Sequence, residues 1–160
     1  MVTKVARIHQ KTKRPLNCGL SKVKVHGMGR LRLRELKLDN FKAIESADIN
    51  FDGKSTIIFG INGTDKSTVL RSINLLYANI INQIVNRKEL KQSYAIQLED
   101  IRYGARETQI SAVFDIKGEC IEYGRRMVRN TGKKYENKEG IRRISEIFHS
   151  EYVSDETSLL

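Results

Sequence analysis

Nine consecutive residues carry the chemistry most open to reading: Gly60-Ile61-Asn62-Gly63-Thr64-Asp65-Lys66-Ser67-Thr68. Glycines let successive backbone N–H groups curl around an anionic oxygen. The pattern G-x-x-x-x-G-K-[ST] does this for the phosphates of a nucleoside triphosphate. Here Gly60 opens the pattern, and Lys66 and Ser67 close it. Gly60, Asn62, Gly63, Thr64 and Asp65 would line the loop. Lys66 would place an ammonium on the β- and γ-phosphates, and Ser67 would offer its hydroxyl to Mg²⁺. Thr68 would hydrogen-bond on the α-phosphate side.

One position breaks the pattern. The second glycine belongs at position 65, where this chain has Asp65. That residue adds a side chain where backbone must approach phosphate, which glycine alone permits freely. It also adds negative charge. Two like unit charges about 4 Å apart repel by roughly 4 kcal/mol at an effective dielectric near 20. Lys66 and Mg²⁺ offset part of that. A net loss of about 3 kcal/mol weakens binding on the order of 100-fold. The loop therefore implies a nucleotide, and Asp65 implies that it is held poorly.

The elements around the loop fit its chemistry. Thr56-Ile57-Ile58-Phe59 reads as a strand buried on both faces and ending at a glycine. After the loop, Val69, Leu70, Ile73, Leu76, Tyr77, Ile80, Ile81, Ile84 and Val85 trace one helical face, predicting a long helix from about Lys66 to Asn86. Leu31, Leu33, Leu36 and Leu38 predict an earlier strand, with a bulge where the phase slips at Arg34-Glu35. Asp39 ends that run, and Asn40-Phe41-Lys42 forms a short connection. Ala47–Phe51 follows as a second strand closed by Asp52-Gly53. Residues 87–107 read as loop. Thr108–Ile116 and Glu119–Arg129 predict an antiparallel pair turning at Lys117-Gly118, and Asn130–Lys134 is a turn. Ile141, Ile144, Ile147 and Phe148 predict a short C-terminal helix. The fold class is α/β: a P-loop NTPase-like mixed sheet, one long helix after the loop, and an antiparallel strand pair.

Charge divides the chain. Lys and Arg number 29 and Asp and Glu 19, a net charge of +10. Residues 1–30 hold eight of the basic side chains and no acid, so the other 130 residues hold 21 basic and 19 acidic, a net of +2. Residues 1–30 read as a basic, disordered arm suited to nucleic acid; the regular pattern beginning after Met28 also allows that residue to be the true start. Residues 31–150 read as the globular lobe and 151–160 as a tail. Cys18 and Cys120 lack paired spacing and read as free thiols in a reducing cytoplasm. No apolar run approaches the roughly 20 residues that span a membrane. His9, His26 and His149 have no partnered arrangement in the sequence.

Leu31–Phe41, the second short strand and Ile57–Thr68 resemble the N-terminal lobe of ABC-type, AAA-family ATPase heads of the RecF, RecN, SMC and OLD group. Those heads open with a strand, an N-F-[KR] connection and a G-x-N-G-x-G-K-S-T loop. The counterparts are Asn40-Phe41-Lys42 and Gly60–Thr68. The resemblance implies ATP and Mg²⁺ as ligands, and a role in DNA repair or anti-phage defence. As partners it implies DNA and a C-terminal lobe or second ATPase head. By the same analogy Lys42 would touch nucleotide, although a solvated loop lysine is the better reading. No LSGGQ-like string occurs. Ala112-Val113-Phe114-Asp115 is the best Walker B candidate, but Ile116 follows where the family carries a catalytic Glu. Asp115 therefore reads as a strand-end aspartate, and no catalytic residue is assigned. The expectation is an ATP-binding lobe incomplete for hydrolysis. The alternative is a non-catalytic scaffold or nucleic-acid-interacting fragment that no longer binds nucleotide.

Overall fold

The computed structural model describes residues 31–51, 56, 58, 65–85 and 95–156. Strands β1 (Arg32–Phe41) and β2 (Ile44–Asn50) come first, then helix α1 (Lys66–Val85). A 3₁₀ turn at Leu98–Asp100 leads to β3 (Glu107–Ile116), β4 (Glu119–Val128), β5 (Lys134–Glu136) and helix α2 (Lys138–Glu156). The five strands lie in the order β2-β1-β3-β4-β5, and every described pairing is antiparallel.

Register explains the core. Leu33 pairs with Phe114, Leu36 with Ala112 and Leu38 with Ile110. Ala112 and Phe114 in turn oppose Tyr123 and Ile121. Paired residues share a face, so these side chains form one apolar layer. Val69, Leu75, Leu76 and Ile80 of α1 and Ile141 and Ile144 of α2 join the same core. The opposite sheet face carries pairs such as Lys37 with Asp48 and Gln109 with Arg126, and is polar as an antiparallel sheet packed on one side should be. The phase slip in β1 is real: the register shifts between Leu33 and Glu35. The extra residue, Arg34, turns to Asp115.

Four elements differ from the sequence reading, the first being β2, which runs from Ile44 to Asn50 rather than from Ala47 to Phe51. Asn40 and Phe41 belong to β1, which runs past Asp39 because Phe41 is fully buried and pairs with Ile44. β5, three residues long, follows the turn after β4 and is held by Arg126 stacked over the Tyr135 ring at 4.5 Å. The final helix is long, 19 residues, and continues to Glu156 beyond the boundary drawn at 150. Cys120 is disulfide-bonded rather than free. The Lys117-Gly118 turn holds as read. Both residues have positive φ (55° and 86°), the two-residue geometry that matches strand twist.

A polar bridge ties α1 to the far sheet edge. The Tyr123 hydroxyl donates to Glu136 Oε1 at 2.7 Å, and Asn79 Nδ2 donates to both groups. Burial, reinforced by the Glu136 carboxylate, pushes the Tyr123 hydroxyl far above its ordinary range.

Candidate nucleotide site

The phosphate-loop residues divide at the helix start. Gly60, Asn62, Gly63 and Thr64 lie outside the described residues, as do the Asp52-Gly53 turn and Ile57 and Phe59 of the expected strand, whose Thr56 is exposed and in no strand rather than buried on both faces. Ile58 is described and packs against the core. Asp65, Lys66, Ser67 and Thr68 are described. The Asp65 carbonyl accepts the Val69 N–H at 2.9 Å, so Asp65 is the N-cap of α1. This gives Asp65 a local reason to be there, because aspartate is among the best N-cap residues. Lys66, Ser67 and Thr68 form the first turn. Ser67 is exposed, and Lys66 and Thr68 are half-buried. A helix start of this kind leaves N–H groups unpaired and carries partial positive charge.

The other segment picked out by sequence reaches this part of α1 through a residue that sequence reading passed over. Asp100 is fully buried. Its Oδ1 accepts Arg71 Nε at 2.8 Å and Lys42 Nζ at 3.2 Å, and its Oδ2 accepts Arg71 Nη2 at 2.9 Å and the Gln97 N–H at 3.0 Å. Burial pushes the carboxyl up, but the bonds from Arg71, Gln97 and Lys42 outweigh it and hold it below its usual value. Main-chain bonds fasten the same place: Lys42 N–H to the Asp100 carbonyl at 2.7 Å, and Arg102 N–H to the Asn40 carbonyl at 2.8 Å. Asn40 and Lys42 both sit in the left-handed region, with φ 49° and 52°. Asparagine tolerates that conformation; lysine does so at a cost of roughly 1–3 kcal/mol, which the surrounding bonds must offset. Lys42 is thus neither a solvated loop lysine nor unpartnered. Its sequence signal was its place in the Asn40-Phe41-Lys42 motif of the resemblance. Asp100 gave one faint sign, an acid set against the apolar Ile101 in a stretch otherwise read as loop.

Asp115 is committed elsewhere. Arg34 donates to its Oδ2 through Nε at 3.0 Å and through Nη2, and the Gly118 N–H donates to its Oδ1 at 3.0 Å. It closes the β3–β4 turn, as a strand-end aspartate does. Among the described residues no group of three or more His, Cys, Asp and Glu could hold a metal ion. Ser67, exposed on the first turn, supplies one hard oxygen. That suits Mg²⁺, which takes one or two protein oxygens and completes its shell from phosphates and water. His149 lines a groove of about 620 Å³ with Gln83, Glu136 and Arg142. Gln83 stands 17 residues after Lys66, roughly 25 Å along the axis, so that groove is remote from the N-terminal end of α1.

Residues 35–158 match the AAA domain family. This chain belongs to the AAA domain family. Two relatives are similar over part of this chain. One is the Escherichia coli retron Ec83 probable ATPase, 30% identical over 92 residues, which is 56% of this chain and 17% of that protein. The other is the DNA double-strand break repair Rad50 ATPase of Sulfolobus acidocaldarius, 29% identical over 87 residues, which is 54% of this chain and 9% of that protein. The chain therefore spans a small fraction of either relative. Among solved structures, one describing ATP-driven dimerization and DNA-stimulated activation of SMC ATPases aligns with a TM-score of 0.52 at 19% identity, covering 73% of this chain and 77% of that one. The recombination mediator protein RecF with ATP aligns at 0.55 and 18%, covering 72% of this chain and 28% of that one. At those identities the likeness speaks to fold, and the fold of this AAA domain is that of the P-loop ATPase heads. Among the described residues no helix is long and apolar enough to cross a membrane.

Proposed function

We propose that this AAA domain is the ATP-binding lobe of an SMC/RecF/Rad50-type ATPase acting on DNA, in repair or in defence against foreign DNA, in the cytoplasm. The supporting observation is the convergence at α1. Lys66-Ser67-Thr68 open the helix, and Asp100 draws Lys42 of the N-F-K corner to Arg71, one turn behind Ser67. Two segments more than 20 residues apart thereby supply cations and hydroxyls to one end of one helix. In this reading Gly60, Asn62, Gly63 and Thr64 would offer backbone donors to the phosphates, Lys66 would neutralise them, and Ser67 would hold Mg²⁺, which when bound would screen phosphate charge. Asp65 lowers affinity. Residues 31–156 form the lobe, residues 1–30 a basic arm for nucleic acid, and a further lobe or second head supplies the groups that hydrolysis needs.

Calorimetric titration of Mg-ATP into the full chain, its Asp65→Gly variant and its Lys66→Ala variant tests the reading. Weak binding is expected for the parent. Asp65→Gly should tighten it roughly 30-fold, since Asp65 is exposed and the repulsion falls between the bulk-water and half-buried limits. Lys66→Ala should abolish it. Equal affinity in all three, or none in any, overturns the proposal in favour of a scaffold without nucleotide.

A further inference from the structure

Asp100 does more than a buried staple requires. Four donors fill the capacity of its carboxylate. They come from three groups, and two of these, Arg71 and Lys42, are full positive charges, so with the carboxylate the cluster keeps a net charge of +1. Lys42 gives one of its three N–H donors to Asp100 and remains a third exposed (33%). Its backbone is fixed independently by the 2.7 Å bond to the Asp100 carbonyl. Arg71 follows Ser67 by four residues and Thr68 by three, so all three share a helix face.

The geometry points to Asp100 as a positioning residue for nucleotide binding. It holds the Lys42 ammonium beside the α1 face that carries Ser67 and Thr68, with two N–H donors left for the anionic portion of a nucleotide. Arg71 anchors the carboxylate bidentately, so that Asp100 is fixed and Lys42 is the movable partner. Without the carboxylate, Lys42 and Arg71 repel each other and the lysine turns to water. This inference rests on the proposed reading of α1 as the phosphate end.

The test titrates Mg-ATP into the full chain and its Lys66→Ala, Lys42→Met, Asp100→Asn and Lys42→Met/Asp100→Asn variants, with a thermal melt of each. Lys42→Met is expected to weaken binding about tenfold, the worth of one charge-assisted hydrogen bond. Asp100→Asn should weaken it by a similar factor, and the double variant should be no weaker than Lys42→Met alone. Lys42 is peripheral, so its variant keeps the inference testable even where Asp100→Asn fails to fold. Parent-like affinity in Lys42→Met overturns the inference, as does a double variant whose losses multiply to about a hundredfold. A parent-like Lys66→Ala instead overturns the nucleotide reading itself, and this inference with it.

Discussion

Gly140 gives the sharpest test of how α2 is seated. Asn137 caps that helix: its Oδ1 accepts the Gly140 N–H at 3.0 Å, and its Nδ2 donates to the Glu122 carbonyl at 3.2 Å. Gly140 lies against the same carbonyl. A Cβ built there would stand 2.1 Å from Glu122 O and 3.3 Å from Asn137 Nδ2. Helix propensity alone favours Gly140→Ala by about 1 kcal/mol. Against this, a contact more than 1 Å too short forces α2 off β4, an overpacking cost of roughly 1–3 kcal/mol. The displaced cap adds about 1 kcal/mol. The balance is a loss of about 2 kcal/mol, or roughly 6 °C in Tm for a chain of this size. Thermal and urea melts followed by circular dichroism measure it. A Gly140→Ala variant that melts at or above the parent would show that α2 does not rest on the Glu122 carbonyl, and the reasoning would fail.

Two further outcomes are expected. Asp100 and Asp115 both sit below the ordinary carboxyl value of 3.8, because hydrogen bonds from Arg71 and Arg34 outweigh burial. Their contribution to stability is complete above that value and is lost as pH falls through their lower folded values, so Tm should drop steeply below about pH 4; an unchanged Tm down to about pH 2.5 would contradict both ion pairs. Lys117 holds φ 55° at the first turn position between β3 and β4, so Lys117→Asn should stabilise by about 0.5 kcal/mol, and a destabilised variant in urea melts would refute that turn geometry.

Local patterns made most of the fold legible. The β3–β4 pair announced itself through alternation and the Lys117-Gly118 turn. The bulge at Arg34 followed from a slipped apolar phase, and α1 from its stripe. What escaped notice depends on distant partners. Three residues of β5 carry little propensity of their own and are fixed by pairing with Arg125, Arg126 and Met127. α2 looked short because Arg142, Arg143 and Glu146 occupy its outer face and dilute the apolar signal. At the candidate site, Asp65, Lys66 and Ser67 could be singled out because the loop pattern that contains them is contiguous in sequence. Asp100 could not, because its meaning lies in Arg71 and Lys42, 29 and 58 residues away.

The place of β1 between β2 and β3 also sets an order of events during synthesis. Leu38 pairs with Ile110, 72 residues later in the chain. At 5–20 residues per second the ribosome needs roughly 4–14 s to deliver that partner. Until then β1 has only β2, and a two-stranded hairpin is marginal by itself. Leu36 and Leu38 must wait without their β3 partners. The cation pair beside α1 waits as well, since Lys42 and Arg71 are both made before the carboxylate that joins them. A nascent chain that ends before Asp100 therefore carries both cations without the carboxylate that joins them.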